Sequence, residues 1–259
     1  MNIGRSRETC VISGRQAVAE ALRSRWPVRE VLISRKSAKR FDEILRYAEQ
    51  AGVSVVVLDD DLFRAKCSGA FQGISAVIEE VPAVEVQDLL ERAGQRGEDA
   101  FLLAVDGVED PQNLGAMART ALSMGVHGLV VPRRRVAKLG QGAARASAGA
   151  VFHLPVAEVP NMHWFIRWAK ENGLWVYGLD AAGSVELWSQ DFAGPVAIVV
   201  GGEGRGLSRL VRESCDVLVK IPMYGPINSL NASVAAALAL YEVRRQRVLK
   251  PFSRSEASY

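Results

Sequence analysis

Hydrophobic and polar positions follow two different periods along the first eighty residues. Short apolar and β-branched runs predict strands, and these runs cover residues 10–13, 28–34, 53–58 and 74–79. Segments with apolar residues three and four positions apart lie between the runs and predict helices, at residues 14–24, 40–51 and 59–66. Gly52 follows the second helix and is a predicted C-cap. The pattern predicts a compact α/β module of small-domain size.

The pattern changes after residue 80. A proline, a short amphipathic piece at 86–93 and the polar run GQRGED are typical of a linker. From residue 100 onward, apolar strands alternate with helices, which predicts a mainly parallel sheet covered on both faces. The predicted strands are 101–105, 128–131, 151–155, 174–178, 196–200 and 217–221, and the longest predicted helix is 229–248. We expect one domain at 1–80, a linker at 81–99 and a second domain at 100–259.

Composition and charge place the chain among globular proteins. Of its 259 residues, 49% are hydrophobic and 24% are charged. No apolar run approaches the roughly 20 residues that span a bilayer, and the first residues lack the apolar core of a signal peptide. We therefore expect a cytoplasmic protein with no membrane partner.

The cysteines and the arginines change this picture in different ways. The three cysteines are far apart, which matches neither a disulfide framework nor a zinc site, so we expect no metal. The net charge of +3 says little by itself. Arginine clusters at 133–135 and 244–254 suit a polyanionic partner, although solvated basic faces are an equally good interpretation of each cluster.

A glycine-rich loop at residues 201–206 follows an apolar run and precedes a helix. Such a loop lets backbone approach a small ligand at the carboxyl edge of a sheet. Its spacing is not G-x-G-x-x-G, and the chain has no P-loop motif. A nucleotide-dependent oxidoreductase is therefore disfavoured, whereas a tight structural turn remains open.

Two further polar segments lie where predicted strands end. Asn113 could simply cap a helix, and Arg119 could be a surface cation, although an arginine in a helix of small residues is often held for phosphate or carboxylate. Ser229 and Asn231 stand at the start of the last predicted helix and could likewise be caps. The three histidines fall outside these segments, so a histidine base is disfavoured.

Taken together, the three segments closely resemble the motifs of the SpoU/TrmH family of RNA 2′-O-ribose methyltransferases. The first motif, D-P-x-N-x-G-x-x-x-R-T, lies within residues 106–120, and the second, G-x-E-G-x-G-L, lies within residues 198–207. The third, I-P-M followed by S-L-N-x-S-V-A, spans residues 221–235. Ala232 stands where the family pattern leads us to expect valine. The N-terminal residues 12–22 and 71–74 resemble the family's accessory RNA-binding module, which has an L30e-like fold.

The resemblance implies a fold, a cofactor and a set of residues. The implied fold is an α/β knot with a small L30e-like N-terminal domain, and the implied assembly is a homodimer through the knot region. S-adenosylmethionine (SAM) is the implied cofactor, bound in the knot. The implied cofactor-binding residues are Gly201, Gly202, Gly206, Ile221, Met223 and Leu230.

The implied catalytic residues are Arg119, Asn113, Glu203, Ser229 and Asn231. Because a guanidinium stays protonated in proteins, we expect Arg119 to bind phosphate and stabilise the developing alkoxide rather than act as a base. Asn113 would orient Arg119 or the ribose, and Glu203 would position Arg119, the cofactor or the ribose. Ser229 and Asn231 would shape the active-site loop.

The RNA contacts expected outside the cofactor site come from Arg15, Arg133, Arg134 and Arg135. The predicted activity is methyl transfer from SAM to the ribose 2′-hydroxyl of a guanosine in 23S large-subunit rRNA. Two alternatives remain: a tRNA ribose methyltransferase of the same family, and a non-catalytic RNA-binding protein.

Overall fold

A computed structural model describes residues 9–67, 72–80, 83–137 and 140–249. Contacts divide the chain into two compact units. Unit 1 comprises the described residues within 1–82, 114–119 and 138–153, and unit 2 comprises those within 83–113, 120–137 and 154–259.

The sheet of unit 1 has four strands in the order β1-β4-β2-β3. The strands are β1 (Thr9–Ser13), β2 (Val28–Ser34), β3 (Ser54–Leu58) and β4 (Ile74–Glu79). β4 runs antiparallel to β1 and β2, whereas β2 and β3 are parallel. All four predicted strands are confirmed, because each run is bounded by turn residues.

Three helices follow the strands of unit 1 in the predicted order. They are α1 (Arg15–Arg23), α2 (Asp42–Ala51) and α3 (Asp60–Lys66), and a short 3₁₀ helix (Arg35–Arg40) precedes α2. The predicted cap at Gly52 is confirmed, since its left-handed φ of 67° ends α2. The N-terminal match at residues 71–74 includes residue 71, which lies outside the described residues.

The sheet of unit 2 has seven parallel strands in the order β7-β6-β5-β10-β8-β11-β9. The strands are β5 (Phe101–Asp106), β6 (Gly128–Pro132), β7 (Val156–Val159), β8 (Trp175–Leu179), β9 (Val185–Glu186), β10 (Val196–Gly201) and β11 (Val217–Lys220). The predicted parallel sheet is confirmed. Its carboxyl ends meet at one edge, which is where ligands bind in open α/β sheets.

Helices connect these strands, and the longest follows β11. They are α4 (Val86–Gln95), α5 (Pro111–Ser123), α6 (Gln141–Ala146), α7 (Met162–Glu171), α8 (Arg209–Ser214) and α9 (Ala232–Leu249), with two 3₁₀ turns at Ala150–Phe152 and Leu187–Ser189. α5 contributes residues to both units, and α6 belongs to unit 1. None of the helices in the described ranges has the length and hydropathy needed to cross a membrane.

The segment expected as a linker contains helix α4, which is part of unit 2. Val86, Leu89 and Ala93 are buried, and they join the core formed with β5, β7 and α7. Their spacing of three and four residues gives the helix one apolar face. The polar residues between them favoured the linker interpretation, but the buried face makes residues 86–95 a packed element. Residues 81 and 82 lie outside the described residues.

The strand predicted at residues 151–155 is wrong. Residues 150–152 form a 3₁₀ turn, in which the backbone N–H of Phe152 donates to the carbonyl of Gly149 at 3.0 Å. The Phe152 ring packs edge-on against Trp26, with 5.0 Å between centroids. This packing within unit 1 overrides the β-propensity of an apolar run. The strand begins at Val156, five residues after the predicted start, as β7 beside β6.

Arginines near the end of α9 serve the fold. The Arg247 guanidinium donates to the carbonyls of Asp99, Ala100 and Gly194 at 2.8–3.0 Å. Arg244 donates to the carbonyls of Met124 and Gly125. The part of the 244–254 cluster that the structure describes is therefore largely engaged by backbone.

Candidate active site at the carboxyl edge of the parallel sheet

A cavity of about 690 Å³ opens at the carboxyl edge of the unit 2 sheet. It is formed by the segments that follow three adjacent strands, β8, β10 and β11. The lining residues are Leu179, Asp180, Ala181, Val200, Gly201, Gly202, Glu203, Gly204, Arg205, Gly206, Arg212, Val219, Ile221, Met223, Asn228, Ser229, Leu230, Asn231, Ala232 and Ala235. The volume falls within the range of small-molecule sites, roughly 300–1,000 Å³.

The glycine loop after β10 folds back on the strand that precedes it. The N–H of Gly206 donates to the carbonyl of Gly202 at 3.0 Å, and the N–H of Gly202 donates to the carbonyl of Asp106 at 2.8 Å. A Cβ on Gly201 would collide with the backbone of Gly206 and Leu207. A Cβ on Gly202 would collide with the carbonyl of Gly107. The glycines therefore allow a close backbone approach that builds one wall of the cavity.

Three polar side chains from the three sequence motifs meet beside the cavity. The Asn113 side-chain amide donates to Oε1 of Glu203 at 2.7 Å. The Asn231 amide donates to the same carboxylate oxygen and also to Oδ1 of Asn113, the latter at 2.9 Å. We call Asn113, Glu203 and Asn231 the amide–carboxylate network. Asn113 is buried, whereas Glu203 and Asn231 are exposed towards solvent.

The network explains why these residue types stand at these positions. Both amides donate to one carboxylate oxygen of Glu203, and no described residue donates to its second oxygen. Asn231 has a second role, because its Oδ1 accepts from the N–H and the hydroxyl of Ser233 at 2.9 and 2.6 Å. Asn231 thus caps α9 and links its N-terminus to Glu203.

Asn113 is not the cap of helix α5. Asp110 holds that position, since its carboxylate accepts from the N–H of Gln112 at 2.9 Å, and Pro111 occupies the first helical position. The simple interpretation of Asn113 as a helix cap is therefore wrong. Its side chain is free for the contacts with Glu203 and Asn231.

The residues expected to hold the cofactor all line the cavity: Gly201, Gly202, Gly206, Ile221, Met223 and Leu230. Ser229, Glu203 and Asn231 line it too. The apolar members at the ends of β10 and β11 suit a flat heterocycle, and the polar members lie in the loops around them.

Asp180 and Arg212 line the cavity without having been singled out in the sequence. Asp180 follows β8, where it accepts from the N–H of Ala182 at 2.9 Å and lies 3.8 Å from the Arg212 guanidinium. The sequence does carry a signal for Asp180, because an acid at the end of a predicted strand is followed by the small residues AAG. The structure adds that this strand, β8, lies next to β10 in the sheet.

The predicted cationic residues lie in different places. Arg119 is an exposed residue of α5, six positions after Asn113. Six residues correspond to about one and two-thirds helical turns, so the two side chains leave α5 on different faces. Arg15, in unit 1, lies 3.5 Å from Glu43. Residues 133–135 are exposed in the loop after β6, at the same sheet edge as the cavity.

The surroundings of the histidines and of Cys215 indicate a role in the fold rather than in catalysis. His127 is fully buried, and its Nδ1 accepts from the N–H of Phe101 at 3.0 Å. Burial lowers the pKa of His127 to about 4. His153 pairs with Glu20, and His163 with Ser214.

Burial, reinforced by Asp216, raises the pKa of the Cys215 thiol to about 12, which makes it a poor nucleophile. In the described ranges, no three acidic, histidine or cysteine side chains group as a metal site.

Comparisons with known proteins cover both units. Residues 100–241 match the SpoU rRNA Methylase family, and residues 11–84 match the family described as RNA 2′-O ribose methyltransferase substrate binding. A Bacillus subtilis protein, YacO, named as a putative TrmH family tRNA/rRNA methyltransferase, is 38% identical over 237 residues. The match covers 91% of this chain and 95% of the relative.

Solved structures are similar over nearly the whole chain. The SpoU methyltransferase AviRb from Streptomyces viridochromogenes, in complex with AdoMet, superposes with a TM-score of 0.77 and 29% identity, covering 92% of this chain and 90% of that one. An AdoMet-bound rRNA methyltransferase from Sinorhizobium meliloti gives a TM-score of 0.76 and 25% identity, covering 92% and 87%.

Proposed function

The chain belongs to the SpoU/TrmH family of RNA methyltransferases, and from this premise we propose that it transfers a methyl group from SAM to the ribose 2′-hydroxyl of a guanosine in 23S rRNA. The observation that carries the proposal is the amide–carboxylate network, which joins residues from three distant motifs beside one cavity. The second carboxylate oxygen of Glu203 is the acceptor that we propose for a sugar hydroxyl, next to the cavity that would hold the cofactor.

The cavity fits SAM by its size and by the character of its walls. Leu179, Ile221 and Leu230 offer apolar contact for an adenine ring, and the close approach of backbone at Gly201 and Gly202 forms the floor. When bound, SAM supplies a methyl group already activated on a sulfonium. The protein therefore needs to supply no nucleophile of its own.

The side chains of the site orient the ribose and manage charge. Glu203 is held in place by Asn113 and Asn231, so its carboxylate is preorganised to accept from a ribose hydroxyl. Ser229 shapes the loop that faces it. Arg119 binds RNA phosphate and stabilises the negative charge that develops on the 2′-oxygen.

Two observations support an rRNA target over tRNA. Residues 11–84 match a substrate-binding family, which gives the chain a module beyond the methylase region. The Sinorhizobium structure, similar over 92% of this chain, is named as an rRNA methyltransferase. We propose that this module has an L30e-like fold and that Arg15 is one of its RNA contacts.

The deciding experiment incubates the protein with labelled SAM and unmodified 23S rRNA, and in parallel with unmodified tRNA. We expect label in the rRNA at one guanosine, detected as an alkali-resistant linkage at the following phosphate. Label in tRNA alone would assign the chain to the tRNA alternative. RNA binding without label, and without heat of SAM binding by calorimetry, would show the non-catalytic alternative.

Arg119 offers a test of its proposed role. We expect Arg119→Lys to lower kcat/KM for RNA at least about tenfold, because lysine cannot reproduce the planar bidentate fork of a guanidinium. Steady-state kinetics with the mapped rRNA measure this, and SAM affinity by calorimetry serves as the control. Near-wild-type activity of this variant would mean that Arg119 contacts neither the phosphate nor the developing alkoxide.

The loop after β6 offers a test of RNA backbone binding. Replacing both Arg133 and Arg134 by glutamine should flatten the plot of log binding constant against log salt by about 1.4–1.8, since each lost phosphate contact contributes about 0.7–0.9. The matched control replaces Arg92 in α4 and Arg96, which directly follows α4, by glutamine; both precede the amino end of β5. A slope equal to that of the control variant would mean that residues 133–135 do not contact RNA.

We also propose that the protein is a cytoplasmic homodimer with an α/β knot. The dimer is supported by exposed apolar residues on one face of α9, at Val234, Leu238 and Tyr241, spaced four and three residues apart. Light scattering should give twice the chain mass, and Leu238→Lys should shift it towards the monomer. The knot rests on the family resemblance and on the two loops, 201–207 and 221–231, that share the cavity.

A further inference from the structure

Arg205 lies at the turn of the glycine loop and lines the cavity. Gly204 and Gly206 flank it with φ values of 75° and 60°, which glycine adopts without strain. The pairing of Gly202 with Gly206 closes the loop around it. Arg205 is thus an exposed cation carried by a short, hydrogen-bonded turn rather than by an open loop.

No described residue balances the charge of Arg205. Within the ranges that the structure describes, Arg205 forms no hydrogen bond and no ion pair. Its neighbours on α8 differ: Arg209 pairs with Glu213 at 2.7 Å, and Arg212 lies 3.8 Å from Asp180. The acid nearest in sequence, Glu203, is engaged by two asparagine amides instead.

We propose that Arg205 is a subsite for the RNA phosphate next to the ribose that is methylated. This inference rests on the proposed function, because it takes the amide–carboxylate network as the place where that ribose is held. Every ribose in RNA carries phosphates on both sides, so a sugar held at Glu203 brings a phosphate within reach of a residue two positions along the same loop. A guanidinium fork matches phosphate oxygens in geometry and charge.

The other anion that could enter the cavity is the carboxylate of the cofactor. Arg205 is exposed at the turn of the loop, where a polymer outside the cavity can reach it. Arg212, which also lines the cavity, is the cation nearer the end of β8 through its contact with Asp180. The arrangement favours the phosphate for Arg205.

The test compares Arg205→Gln with the matched control Arg209→Gln in the full-length protein. Binding of the 23S rRNA fragment, measured without SAM over a series of salt concentrations, should weaken about five- to tenfold for Arg205→Gln. Its salt slope should fall by about 0.7–0.9, the contribution of one phosphate. Arg205→Lys should keep most of the slope, and SAM affinity should stay within about twofold in all variants.

Two results would overturn the inference. Either Arg205→Gln binds RNA with the slope and affinity of Arg209→Gln, or it loses SAM affinity while RNA binding is unchanged, which would assign Arg205 to the cofactor carboxylate. Failure of the proposed function looks different, because then the wild-type protein would neither bind SAM nor label rRNA. The RNA-binding comparison can be read in either case.

Discussion

Replacing Glu203 by alanine is expected to lower kcat for RNA methylation by about 10²–10³, with little change in SAM affinity. The carboxylate is the acceptor that the Asn113 and Asn231 amides share, so its loss removes that common acceptor together with the group that we propose faces the ribose. Loss of one preorganised polar group in an active site has effects of this size. Single-turnover kinetics with saturating SAM and RNA measure the step directly.

The hydrogen bond between Asn113 and Glu203 also predicts the effect of a double variant. Because Asn113 and Glu203 act through each other, the double variant Asn113→Ala/Glu203→Ala should be only slightly slower than Glu203→Ala alone. Glu203→Gln, which keeps an oxygen at the same place, should lose less than the alanine variant. Multiplicative losses in the double variant would mean that the two residues act independently and that the hydrogen bond has no catalytic role.

Much of unit 1 could be predicted from the sequence because its signals are local. Residues 28–34 and 74–79 form strands with the predicted bounds, since each is an apolar run between turn residues. Gly52 could be predicted as a cap because only a left-handed residue ends a helix in that way. In each case the deciding interaction lies within a few residues.

Where the structure differs from the sequence-based predictions, the causes are non-local. Residues 150–152 form a turn because Phe152 packs on Trp26, more than a hundred residues earlier. Residues 86–93 have an amphipathic pattern, but Val86, Leu89 and Ala93 are apolar positions of a largely polar segment, which favours a linker as readily as a packed helix. A sequence pattern gives no account of what such a face packs against.

The candidate active site could be predicted from the sequence only in part. Motif resemblance and the rule that parallel strands end at one edge place the three loops together. They do not give the contacts: Asn113, Glu203 and Asn231 are separated by 90 and 28 residues, and their hydrogen bonds depend on the register of β5 and β10. Asp180 was missed for the same reason, because only the strand order puts β8 beside β10.

Replacing Gly201 by alanine is expected to abolish measurable SAM binding, a loss of at least about 100-fold in affinity. The added Cβ would collide with backbone atoms of Gly206 and Leu207, and backbone cannot move aside as the end of a side chain can. The loop must then shift away from β10, and the cavity loses the wall that carries Glu203. Overpacking of this kind also destabilises the fold by about 1–3 kcal/mol.

Calorimetric titration with SAM tests this expectation, alongside a thermal melt that shows the variant is folded. The matched control is Gly225→Ala, because Gly225 lies in a loop with open space around the added methyl and an ordinary φ. We expect the control to bind SAM like the wild type. A folded Gly201→Ala protein that binds SAM with wild-type affinity would separate the glycine loop from the cofactor, and the cavity would then have to be assigned to another ligand.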